Sequence, residues 1–135
     1  MSHKCGNTVI HCMDFRLVKD TINWMDQKGL LGDADLISIA GAGKSFLSEY
    51  QDFLMHQLDI SINKHHSKKI FLVHHVDCGA YALENTFEDE EEEFAFQLED
   101  MDVIVKLLEN TFSDIEVIKV WAQFTENGIT HTEIH

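Results

Sequence analysis

Two short segments carry the residues best suited to chemistry: Cys12-Met13-Asp14-Phe15-Arg16 and His75-Val76-Asp77-Cys78-Gly79. The thiolates of Cys12 and Cys78 and the imidazole of His75 make a Cys2His set. Zinc takes such ligands, and three protein donors leave the fourth tetrahedral position open for water. Arg16 is the only arginine in the chain, and its place beside Asp14 and Cys12 points to a specific role.

Cys12, Asp14 and Arg16 alternate. In an extended chain all three project to the same side. Asp14 is then within reach of the metal or of its water, and Arg16 can grip the carboxylate through a bidentate pair. The carboxylate so has two possible partners, and the sequence leaves both open.

The elements that must position these groups follow from apolar runs and periodicity. Residues 7–12, 36–39, 69–75 and 117–121 read as strands. Residues 17–28 read as a helix with Val18, Ile22 and Met25 on one face and Gly29 as its stop. Residues 46–63 read as a second helix, capped by Ser45, with Leu47, Tyr50, Leu54, Leu58 and Ile62 on one stripe. A short helical piece spans Tyr81 to Asn85. A long helix then runs to about Phe112, with Phe94, Leu98, Met101, Val105, Leu108 and Phe112 inward. Asn127-Gly128 predicts a hairpin that returns Ile129 to Glu133 antiparallel. The expected fold is α/β, a single domain over residues 1–135. It has a mostly parallel sheet of four strands plus an antiparallel C-terminal edge strand, with helices on both faces. Ligands gather beyond the carboxyl ends of such strands, where strand order reverses. Strands 1 and 3 are the natural neighbours there.

Composition excludes some classes. A formal charge of −14 opposes binding to nucleic acid, whose phosphates would repel the surface. No apolar run approaches the ~20 residues of a membrane span, and the first residues lack a signal-peptide core. A cytoplasmic protein is expected. Three cysteines do not suggest a disulfide framework. The run Glu88 to Glu93 reads as a solvated loop or first helical turn. His74 reads as packed or hydrogen-bonded, and Asp77 as an orienting residue or a cap. Cys5 reads as a bystander. His11, His65, His66, His131 and His135 read as surface or hairpin residues.

The pattern C-x-D-x-R, then Ala40-Gly41, then H-x-x-C-G preceded by the double histidine His74-His75, resembles the β-class carbonic anhydrases. The resemblance covers nearly the whole chain. It implies Cys12, His75 and Cys78 as zinc ligands and Asp14 and Arg16 as a catalytic dyad. It also implies reversible hydration of carbon dioxide to bicarbonate and a proton, by a homodimer or a higher homo-oligomer. Two departures stand out: Ser38 and Ile39 occupy positions where the family usually has a basic residue and Asn, and only about six residues precede strand 1, where relatives often carry a helical arm. Two other readings fit the same residues. One is a zinc hydrolase of a CO2-like molecule, carbonyl sulfide or carbon disulfide. The other is a non-catalytic zinc-binding module.

Overall fold

A computed structural model describes residues 3–135. Five strands form one sheet: β1 (Asn7–Cys12), β2 (Ala34–Ile39), β3 (Lys69–His75), β4 (Glu116–Thr125) and β5 (Gly128–Ile134). Their spatial order is β2-β1-β3-β4-β5, with the first four parallel and β5 antiparallel to β4. The chain lays β2 on one side of β1, then crosses to lay β3 on the other. The carboxyl ends of β1 and β3 therefore flank the point where strand order reverses. Both strands are buried almost throughout because both of their faces are covered.

On one face, α1 (Val18–Gln27) packs over Val9, Phe71, Val73 and Val120. The opposite face carries Ile10, Ile70 and Leu72, covered by α2 (Gln51–Asp59) and α4 (Glu90–Thr111). A one-turn helix, α3 (Gly79–Ala82), follows β3. This is the layered α/β architecture expected from the sequence. β4 is longer than the run 117–121, because Lys119 to Thr125 pair with β5.

Three helices differ from expectation in which residues they turn inward. Leu17, Thr21 and Met25 are buried along α1, whereas Val18 and Ile22 are exposed. Residues 46–63 are not one helix, and Ser45 is not its cap. A 3-10 turn spans Ala42–Leu47, extended backbone at Ser48 interrupts it, and α2 begins only at Gln51. Leu47 and Tyr50 are accordingly exposed, while Leu54, Leu58 and Ile62 are buried. On α4 the buried stripe is Glu93, Gln97, Met101, Ile104 and Leu108, rotated from the purely apolar one. Two polar side chains face inward there because they serve the backbone around His75.

The tight turn after β2 depends on glycine. Gly41 sits at φ +74°, a region that side chains with a Cβ avoid. A Cβ on Gly43 would lie 2.8 Å from Leu72 Cδ1 and 2.9 Å from Ile104 Cδ1. The turn thus presses directly onto β3 and α4 beside the strand ends.

Candidate metal centre

Cys12 is the last residue of β1 and His75 the last of β3, while Cys78 immediately precedes α3. One donor atom from each lies within 4.8 Å of the other two, and all three side chains are buried. The His75 Nδ1 group lies 2.7 Å from the Val76 carbonyl, which only an N–H can satisfy. That fixes the tautomer and leaves a lone pair on Nε2. His75 Nε2 is buried with no hydrogen-bond partner among the described residues. A buried lone pair without a donor is costly, and a metal ion beside two sulfurs would satisfy it. The donor set therefore fits zinc.

Contact with the Cys78 thiol, more than any other influence, pulls the Cys12 thiol well below its usual range. The same contact, joined by burial, pushes Cys78 up. Two adjacent sulfurs cannot both carry charge cheaply without a cation between them. Burial opposes charging His75, but the neighbouring Cys12 sulfur outweighs it and raises the imidazole.

Asp14 and Arg16 meet beside this cluster. The chain does not stay extended past β1. It bends into a 3-10 turn over Phe15–Leu17, and Asp14 caps that turn by accepting from Arg16 N at 2.9 Å. The guanidinium then folds back as a fork, donating from Nε to Oδ1 at 3.0 Å and from Nη2 to Oδ2 at 2.6 Å. These bonds hold the Asp14 carboxyl below the usual carboxylate range. Arg16 also donates from Nη1 to Asp77 Oδ2 and from Nη2 to the Asp77 carbonyl, each at 3.0 Å. Its guanidinium lies 4.6 Å from the centre of the Phe124 ring, a cation–π contact. Asp77, at φ +57°, is therefore neither a cap nor a contact of His75. It is the second anchor of Arg16.

Behind the cluster lies a buried polar group that the sequence reading missed. Glu93 accepts from the backbone N–H of Asp77 at 2.8 Å and of Cys78 at 3.2 Å. Gln97 Nε2 donates to the His75 carbonyl at 2.9 Å and to Glu93 Oε2 at 3.0 Å. Gln97 Oε1 lies 2.9 Å from His74 Nδ1, and His74 Nε2 accepts from Gly43 N at 3.1 Å. His74 thus points away from the sulfurs and is held by hydrogen bonds, with burial pushing it down to about 4. The available signal was the α4 spacing: Glu93 and Gln97 stand eight and four residues before Met101 on its face.

His11 also departs from expectation. It is buried, and neither ring nitrogen has a partner among the described residues. Ser38 pairs with it across β1 and β2, and Ile39 pairs with Cys12. His131 stacks on Trp24 with ring centres 5.0 Å apart, and burial lowers it to about 4. A cleft of about 690 Å³ opens over the cluster, lined by Cys12, Asp14, Arg16 and Ala80. On its rim Phe15 and Leu83 are almost fully exposed.

Residues 2–130 match a protein family described as "Putative carbonic anhydrase". An uncharacterized protein of Rickettsia bellii is 31% identical over 83 residues, 58% of this chain and 51% of that protein. A second, from Rickettsia conorii, is 28% identical over 85 residues, 60% of this chain and 46% of that protein. The chain thus spans about half the length of these curated relatives. Among solved structures, a carbonic anhydrase from Streptococcus mutans superposes with a TM-score of 0.64 at 21% identity, covering 97% of this chain and 84% of that one. A β-carbonic anhydrase from Trichomonas vaginalis gives 0.59 at 21% identity, covering 96% and 81%. A carbonic anhydrase from Glaciozyma antarctica gives 0.60 at 19%, covering 95% and 83%. At these identities the likeness establishes a shared fold.

Proposed function

The chain belongs to the "Putative carbonic anhydrase" family, and from that premise we propose that it catalyses the zinc-dependent reversible hydration of carbon dioxide to bicarbonate and a proton. One observation carries the reading: the Arg16 fork holds Asp14 beside a buried Cys12–His75–Cys78 cluster whose His75 lone pair faces no donor. Cys12, His75 and Cys78 would hold the ion. Zinc, when bound, acidifies a water at its open position and so supplies a nucleophile near neutral pH.

The remaining work falls to this chain's own residues. Asp14 Oδ2 stands 4.0 Å from His75 Nε2, close enough to accept a hydrogen bond from a water at the cluster. As a low-pKa carboxylate it can only accept, so it orients that water's hydrogen and leaves an oxygen lone pair for the carbon of CO2. Arg16 keeps Asp14 from swinging onto the metal. Its two bonds to Asp77 fix the guanidinium from the far side. His75 keeps its Nε2 lone pair through the Nδ1–H bond to the Val76 carbonyl.

The cleft is open on one side, and its rim is apolar. This supports a homodimer or a higher homo-oligomer in which a second copy covers Phe15 and Leu83. Stopped-flow CO2 hydration before and after chelation tests the function. The rate falls to that of buffer on stripping and returns on adding zinc. Unchanged activity in stripped protein contradicts the proposal.

A further inference from the structure

A second cluster of mixed donors lies at the other end of the sheet. Cys5 precedes β1, Asp35 lies near the start of β2, and His65 is in the turn before β3. One ligand atom from each falls within 4.8 Å of the others. His65 Nδ1 is 2.6 Å from Asp35 Oδ2, and Cys5 Sγ is 3.7 Å from the same oxygen. The His3 ring centre lies 4.6 Å from that of His65. At ~3.3 Å per residue along β1, this cluster is roughly 20 Å from Cys12, so the two cannot share an ion.

The three segments are brought together by backbone bonds that do not involve these side chains. Cys5 N donates to the His65 carbonyl at 2.8 Å, and Lys68 N donates to the Gly6 carbonyl at 3.0 Å. Gly6 N donates to Asp33 Oδ1 at 2.9 Å. The donors are therefore preorganised around a cleft of about 250 Å³. The Cys5 thiol lies 3.4 Å from the Asn7 carbonyl and 3.7 Å from Asp35 Oδ2, so its sulfur faces the His65–Asp35 pair through long, weak bonds that an ion could replace. One sulfur, one carboxylate oxygen and imidazole nitrogen form a zinc-type donor set. Calcium and magnesium, which need several oxygens, are poorly served.

We propose that Cys5, Asp35 and His65 form a second metal site that takes Zn2+. The ion would tie the segment before β1 to β2 and to the turn before β3. Binding displaces the Cys5 thiol proton to solvent.

The test uses the full chain, saturated with Zn2+ and freed of excess, with metal counted by elemental analysis. Wild type holds two zinc ions per chain, and Cys5→Ser and His65→Ala each hold one. A single ion in wild type and in both variants overturns the proposal. Reactivity of wild-type thiols provides a second readout that needs no variant to fold. Zinc saturation slows modification of Cys5, identified by peptide mass, about tenfold or more, because a ligated thiolate is a poorer nucleophile. Equal Cys5 rates with and without zinc overturn the site.

Discussion

Arg16 holds Asp14 by two parallel bonds, of 3.0 and 2.6 Å, while the carboxylate's Oδ2 remains 4.0 Å from His75 Nε2. The same guanidinium is tied to Asp77 on its other edge. In this geometry the arginine holds the carboxylate.

Arg16→Ala removes that restraint. Asp14 is then free to compete for the open position of the ion. CO2 hydration should fall by about 10²-fold or more, the usual scale for losing a positioned acid–base group. Zinc content should not change, because no donor is removed. Stopped-flow rates with parallel metal analysis check both. Loss of zinc together with activity would instead make Arg16 a structural residue.

Glu93→Gln weakens the group that receives the Asp77 and Cys78 N–H bonds. The buried carboxylate also accepts from Gln97, so the amide replaces an acceptor with a donor in a site of donors. Stability should drop by about 1–3 kcal/mol. Zinc affinity should weaken about 10–100-fold, the scale seen when outer partners of ligands are lost. Urea titration and competition with a metal indicator measure the two effects.

Acid should destabilise the fold before the carboxylates titrate. His131 is lowered by burial to about 4, while an unfolded histidine titrates near 6.5. Between those values the unfolded chain binds more protons, so stability falls as pH drops from about 6.5 to about 4. Buried His11, lowered in the same direction by burial, adds to the slope. His131→Phe retains an aromatic ring against Trp24 and removes the titration. It should flatten the curve over that window without abolishing the slope. Denaturant melts of chelator-treated protein across the window check this with zinc release excluded. An unchanged slope would mean that His131 is protonated in the folded state.

Leu83→Glu puts a charge on the apolar rim of the cleft, where Leu83 is 86% exposed. In the proposed homo-oligomer this should shift the protein toward monomer, with lost activity at low concentration. Light scattering reads the mass. A wild type that is monomeric and active at micromolar concentration contradicts the oligomer.

The parts of the fold that were legible in the sequence are those set by one dominant physical signal. β1 and β3 are buried on both faces, so their apolar runs mark them almost to the residue. Asn127-Gly128 likewise marks the hairpin. Cys12, His75 and Cys78 stood out because soft donors at two strand ends suggest an ion. What escaped was polar and long-range. Glu93 sits in a run of acids that reads as solvent-facing, yet it turns inward to satisfy two backbone N–H groups sixteen and fifteen residues away. His65 and Cys5 have no shared spacing in sequence, and only the pairing of β1 with β2 and β3 brings them together. Residues 46–63 failed for a local reason: Ser48 takes extended backbone, and its hydroxyl donates to the Ser45 carbonyl and accepts from Tyr50 N, a local bonding that competes with a continuous helix.

The rate of CO2 hydration by zinc-loaded wild type, measured beside His75→Ala across about pH 6.5–9, decides whether the Cys12–His75–Cys78 cluster holds the reacting ion. Two thiolates neutralise the ion's charge, so the water should be acidified less than at an all-histidine site, whose value is near ~7. The wild-type rate should lie well above buffer and climb with pH over this range, and the His75→Ala rate should be indistinguishable from buffer. A zinc-loaded wild type no faster than buffer at any pH, or two proteins with the same profile, would contradict it.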